Sequence, residues 1–141
     1  MAITQAVCAS FKQETLEGVH NFSATGGDTF YIALYTSSAD LSSYTTVYTP
    51  IGETSGTGYT AGGQVLTNLG VTLSGATAYT SFDDITWSGA SISAAGALIY
   101  NASKSNKAVA VLNFGGTYTS AVDFSVTLPP NTSTTALIGF Y

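Results

Sequence analysis

Residues able to carry chemistry are few in this chain, and they stand apart from one another. His20 is the only histidine and Cys8 the only cysteine. Catalytic triads and metal sites need such side chains beside partners, and neither neighbourhood supplies them. His20, in Gly18-Val19-His20-Asn21-Phe22, reads as a hydrogen-bonded histidine at a helix exit. Cys8 has no internal partner for a disulfide. It reads as a small buried hydrophobe, with an intermolecular bridge or a reactive thiol as the alternative. Asp83-Asp84 is the one carboxylate pair in sequence. Adjacent strand residues point to opposite faces, which makes a poor acid–base dyad, and calcium wants more oxygens than two aspartates offer. A structural role is expected for both. Gly56, Gly58 and Ala61 fit a dinucleotide-binding spacing, but that pattern works only ahead of a helix. Here the strand-like Gln64-Val65-Leu66-Thr67-Asn68-Leu69 follows. A glycine-rich surface loop is the better reading. No catalytic residue, cofactor or bound metal is expected, and the chain is read as not an enzyme.

Composition narrows the partners. Only 8% of the 141 residues are charged, against a usual quarter, while Ser and Thr make up roughly 28%. Hydroxyls do not keep surfaces apart as charges do, so much of this surface is expected to be contact surface. The net charge is −5, with no Arg and only Lys12, Lys104 and Lys107. Nucleic acid needs a basic stripe to displace counterions, and anionic membranes need basic clusters. Neither partner is expected. No stretch approaches the roughly 20 apolar residues of a spanning helix, and Met1-Ala2-Ile3-Thr4-Gln5 lacks the charged and apolar regions of a secretory signal. The three Asn-X-Ser patterns at Asn21, Asn101 and Asn131 are therefore expected to stay unglycosylated.

The elements that must hold these residues are mostly strands. In Phe30-Tyr31-Ile32-Ala33-Leu34-Tyr35-Thr36 both alternating sets are apolar or aromatic, which predicts a central strand covered on both faces. Before it, Thr4 to Gly18 reads as the only helix, with Thr4 as cap, Gly18 as its left-handed stop, and Ile3, Val7, Phe11 and Leu16 as a loose apolar stripe. Ser37 to Pro50 reads as a long loop with a short edge strand near Thr45 to Tyr48. Strand pieces follow over Gln64 to Leu73, then a turn at Ser74-Gly75-Ala76 and a strand over Ala78 to Trp87. A bulge at Asp83-Asp84 would bring Phe82, Ile85 and Trp87 to one side. Ile92 to Tyr100, an Asn101–Asn106 loop and Ala108 to Phe114 make a hairpin, and its small residues Ala94 to Ala97 invite close packing. Gly115-Gly116 should turn the chain. Phe124 to Leu128 and Thr135 to Tyr141 complete the set. Short strands with regularly spaced turns predict an all-β antiparallel sandwich, jelly-roll or immunoglobulin-like, with one short N-terminal helix. The division expected is an N-terminal helical arm over 1–22 and a β-sandwich domain over 23–141.

Phe30-Tyr31-Ile32-Ala33-Leu34-Tyr35-Thr36-Ser37-Ser38-Ala39, the Gly52-Glu53 to Gly62-Gly63 loop, Phe82-Asp83-Asp84-Ile85-Thr86-Trp87, Gly96-Ala97-Leu98-Ile99-Tyr100-Asn101 and Ala108 through Gly116 resemble a family of small tailed-bacteriophage virion proteins. The resemblance covers most of the chain after about residue 10. It implies a structural component of the virion and brings no catalytic residues with it. The expectation is a capsid decoration, or cement, protein on the outer surface of the shell. It would bind the major capsid protein and itself, as a homotrimer. The alternative is a tail or fibre component that stacks aromatic residues on host glycans. The arm and the loops 37–50 and 52–63 are the expected contact regions, with Phe11, Leu16, Tyr44, Tyr48 and Tyr59 as candidate partner-binding residues.

Overall fold

The chain is all-β and sandwich-like, with one short helix, in a computed structural model that describes residues 2–141. In chain order the elements are β1 (Ala6–Val7), α1 (Ala9–Leu16), β2 (Phe30–Tyr35), β3 (Gln64–Val65), β4 (Asn68–Ser74), β5 (Thr77–Phe82), β6 (Ile85–Ser88), β7 (Ser93–Asn101), β8 (Lys107–Thr119), β9 (Asp123–Val126) and β10 (Ile138–Phe140). A five-stranded sheet runs β1-β8-β7-β2-β3; a three-stranded sheet runs β10-β5-β4; β6 and β9 form a two-stranded ribbon. Every named pairing is antiparallel.

Strand β2 lies inside the large sheet, as its two apolar faces require. Phe30, Ile32 and Leu34 pair with Asn101, Ile99 and Ala97 of β7 and share a face with them. That face meets an aromatic cluster: Phe30 stacks on Phe22 at 4.5 Å between ring centroids and lies 5.4 Å from Phe82. Phe22 meets Phe11 of α1 edge-on at 5.8 Å. Farther along, Phe124 of β9 packs against Trp87 and Phe114. On the opposite face Tyr31, Ala33 and Tyr35 pair with Tyr100, Leu98 and Gly96. That side is covered by the long connection from Thr36 to Gly63.

Three local expectations change. The helix is Ala9–Leu16 rather than Thr4 to Gly18, and Cys8 stands at its N-terminal boundary without a side-chain cap. Thr4 instead donates its N–H to Leu41 O at 2.8 Å, while Ala6 and Val7 pair with Val111 and Ala110 of β8. The edge of β8 has N–H and C=O groups that need partners, and the chain meets that need before it turns helical. Gly18 does take the left-handed backbone, at φ 75°. Secondly, Asp83-Asp84 is a corner rather than a bulge: β5 ends at Phe82 in one sheet, and β6 begins at Ile85 in another. Both Phe82 and Trp87 still reach the core. Thirdly, β8 runs through Gly115-Gly116 to Thr119, because β7 pairs with it as far as Ser93↔Thr119 after an irregularity between Ala94 and Gly96. Near Thr45 to Tyr48 there is a single bridge, Val47↔Lys107.

The segment 2–22 is therefore built into the sheet edge and the core; Met1, at the start of the expected arm, lies outside the described residues. Cys8 and Phe11 are buried. Ile3 fills the space above Gly96, where an added Cβ would sit 2.6 Å from Leu112 O and 2.9 Å from two Ile3 carbons. Ile3 is what the small residues of β7 admit.

Removing residues 2–17 strips β1 from its sheet and opens the aromatic cluster. We expect the shortened chain to lose cooperative unfolding in urea; a soluble product that unfolds cooperatively contradicts this placement. Phe30→Ala should lower stability by about 3–5 kcal/mol, the usual range for removing a buried phenylalanine ring, as read by urea midpoint.

Candidate functional site

The most constrained group of side chains surrounds Glu53. A bridge between Tyr35 and Glu53 and a bond from Thr54 N–H to Leu34 O at 2.9 Å lay this part of the connection beside the end of β2. The carboxylate then takes three donors. Oε1 accepts from the Tyr48 hydroxyl at 2.6 Å; Oε2 accepts from the Tyr59 hydroxyl at 2.6 Å and from Gly62 N–H at 2.8 Å. The Tyr59 oxygen also accepts from Leu34 N–H at 2.9 Å. Tyr100 donates to Gly62 O, and Tyr35 donates to Thr49 O at 2.6 Å. Tyr48 and Tyr31 both pack against Tyr100, with centroids 4.9 Å and 5.9 Å from its own. Gly63 completes the approach: at φ 84°, a Cβ there would stand 1.8 Å from Ile32 O, so only glycine brings the loop this close.

These bonds fix the protonation of the tyrosines. Burial, then the bond to Glu53, raises Tyr48 and Tyr59 far above the ordinary value of 10. Burial and the charge of Glu53 raise Tyr35 in the same direction and push Tyr100 up to about 12. A phenol that donates to a carboxylate has no reason to lose its proton at neutral pH.

A second polar chain ties the helix to the β7–β8 hairpin. Glu14 Oε1 lies 2.9 Å from His20 Nε2, and His20 Nδ1 lies 2.9 Å from Asn101 Nδ2. Asn101 Oδ1 accepts from Ser103 N–H at 3.0 Å, which orients the amide. Its Nδ2 therefore donates to His20 Nδ1 and to Asp28 Oδ2, the latter at 2.8 Å. His20 Nδ1 is then the acceptor, and Nε2–H is directed at Glu14. Lys104 closes the chain on Asp28 Oδ1 at 2.8 Å. Burial opposes the charge of Asp28, but bonds from Lys104, Asn101 and Asn21 outweigh it and hold the carboxyl below its ordinary value. Both ring nitrogens of His20 are occupied, so the histidine is a structural link between α1 and β7.

The five candidate contact residues separate into two groups. Leu16 and Tyr44 project into solvent, 87% and 84% exposed. Phe11 is buried against His20 and Phe22 and is not available to a partner. Tyr48 and Tyr59 point inward to Glu53 and are only partly accessible. Their role is to hold the loops. Sequence reasoning missed Glu53 as the organising group; its signal was a lone acid between Asp40 and Asp83 in a tyrosine-rich stretch. Cys8 is sealed, and burial with the nearby Glu14 charge pushes its thiol up to about 11. It packs as a small hydrophobe. Asp83 and Asp84 are exposed, and Asp84 Oδ1 accepts from Leu128 N–H at 2.7 Å, fixing the exit of β9. Among the described residues no three His, Cys, Asp or Glu side chains stand close enough to hold a metal ion together.

Two surface features are open to other molecules. A cleft of about 660 Å³ between β8 and β9 is lined by Phe114, Tyr118, Asp123 and Phe124. A more apolar groove of about 420 Å³ lies between α1 and the three-stranded sheet, with Val71, Ile138 and Phe140 along it. Large apolar side chains also stand exposed elsewhere, Ile51 and Val122 among them. Comparison with protein-family models, curated proteins and solved structures finds no match.

The tyrosine shifts set an alkaline limit. Below pH 10 both folded and unfolded chains keep these phenols protonated, and the tyrosines contribute their full stability. Above it the unfolded chain releases protons that the folded one retains, so stability falls as pH rises. We expect a flat melting temperature from neutral pH to about 9, a gentle fall beyond it as the unfolded Cys8 thiol ionises ahead of the folded one, and a steep decline above about 10, with tyrosinate absorbance appearing together with unfolding. Tyrosinate formation well ahead of unfolding would contradict the network. Glu53→Gln keeps the shape but weakens charged hydrogen bonds, and should cost about 1.5–3 kcal/mol in urea titration.

Proposed function

We propose that this chain is a capsid decoration protein of a tailed bacteriophage. It lies on the outer surface of the shell, binds the major capsid protein and other copies of itself (as a trimer in the sequence-based reading), and catalyses no reaction. One observation carries the reading furthest: apolar side chains such as Leu16 and Ile51, 87% and 77% exposed, stand on a body whose loops are pinned by Glu53. Pinned loops lose little conformational entropy on docking, and uncharged contact surface leaves few ions to desolvate. Charges are also spent internally, in the Glu14–His20–Asn101–Asp28–Lys104 chain. The resemblance to phage virion proteins supports the same reading.

A tail or fibre protein that contacts host glycans is the second reading, and exposed Tyr44 is the observation in its favour. A sugar face stacks on an aromatic ring of this kind.

Purified chain mixed with undecorated shells of the parent phage should cosediment with them. The double variant Leu16→Glu, Tyr44→Ala should bind at least about tenfold more weakly, the loss expected when interface anchors are truncated. Chain that stays in the supernatant, and binds glycan-coated beads instead, would turn the assignment to the tail.

A further inference from the structure

The three-stranded sheet has an edge that is only partly covered by the described residues. β4 is its outer strand. The first residues of β4 are shielded: Asn68 Nδ2 donates to Ser23 O and Asp28 O, and Ala24 lies beside Gly70. Val71–Ser74 has no such cover. In an antiparallel ladder every second residue directs its N–H and C=O away from its partner strand, so this stretch offers free backbone donors and acceptors.

The side chains beside that edge are apolar. Register places Leu73, Ala78 and Phe140 in one cross-strand row, and Val71, Thr80 and Ile138 in the next. Leu73 is 74% exposed, Val71 59% and Phe140 54%. Proteins usually protect such an edge with lysine, proline or an inward charge, and β4 has none of these. Strands β4, β5 and β10 contain no Asp, Glu, Lys, Arg or His at all. All eight acids of this net −5 chain lie elsewhere. Two copies can therefore meet along this neutral sheet without opposing like charges.

We infer that the β4 edge is an isologous self-association surface. Val71–Ser74 of one copy pairs antiparallel with Val71–Ser74 of a second across a two-fold axis. The two three-stranded sheets become one of six strands, and the apolar rows run on from copy to copy. A two-fold contact is self-complementary and closes on itself, and strand addition satisfies the free backbone groups directly. Pairing needs no shell, so its failure leaves the decoration reading intact, and failure of shell binding leaves the pair.

The test is light scattering on the purified chain over a concentration series. The expected mass is twice the 14.4 kDa of one chain, and Val71→Lys with Leu73→Lys should return it to the single-chain value with little change in melting temperature, because both side chains are exposed. A wild type that stays single at its highest soluble concentration, one that assembles as three chains rather than two, or a folded double variant that still pairs, overturns the inference. Hydrogen exchange on the wild type keeps the test independent of the variant's folding. Protection confined to Val71–Ser74 should rise with protein concentration; exchange there that ignores concentration overturns the pairing.

Discussion

The Glu53 carboxylate governs the ordering of this molecule. A sheet of five strands has two faces to cover, and the described residues have only one short helix to spend on them. The aromatic face is met by α1, Phe22, Phe82 and the β6–β9 ribbon. The tyrosine face is covered by irregular backbone between Thr36 and Gly63. Such loops do not hold themselves by hydrophobic burial alone. Here one carboxylate takes two phenols and a backbone N–H, and those phenols belong to the loops being held. Charge-assisted bonds to a half-buried carboxylate are stronger than neutral ones, and the same three bonds supply the donors that a charge partly withdrawn from water needs. The covering of the sheet and the solvation of Glu53 are thus one problem with one solution.

Alternation and turn chemistry made much of the fold legible. Phe30–Tyr35 had to be a doubly covered strand, and β7 and β8 had to pair, because their residues fit no other period. What sequence could not show was long-range competition for backbone partners. Thr4 to Val7 has the composition of a helix start, yet the unpaired edge of β8, more than a hundred residues away, takes Ala6 and Val7 as a strand. The same holds for Asp83-Asp84. Local spacing identifies an irregularity there, while a corner between two sheets rather than a bulge within one is decided by which strands β5 and β6 find.

The candidate site was legible only in its chemistry. Tyrosine in a glycine-rich, uncharged loop signals contact surface in general. For Tyr44 the hydroxyl and ring do face outward, whereas Tyr48 and Tyr59 make their contacts within the chain. Nothing local distinguishes the three; the position of Glu53 does. Phe11 illustrates the reverse case, since a helix residue that could have faced a partner faces His20 and Phe22 instead. Val71 and Leu73 share the parity of a buried strand face, but they stand on the outer strand, beyond the cover that buries Ile138 in the same sheet, and remain in water.

A body fixed by internal polar bonds and presenting apolar side chains outward is suited to lie against other protein. The most direct measurement of that claim is a cryo-electron microscopy map of the phage particle at side-chain resolution. The account predicts symmetric copies on the shell with Leu16 and Tyr44 enclosed by the major capsid protein. A map in which the chain is absent from the particle, or sits there with both side chains in solvent, would contradict it.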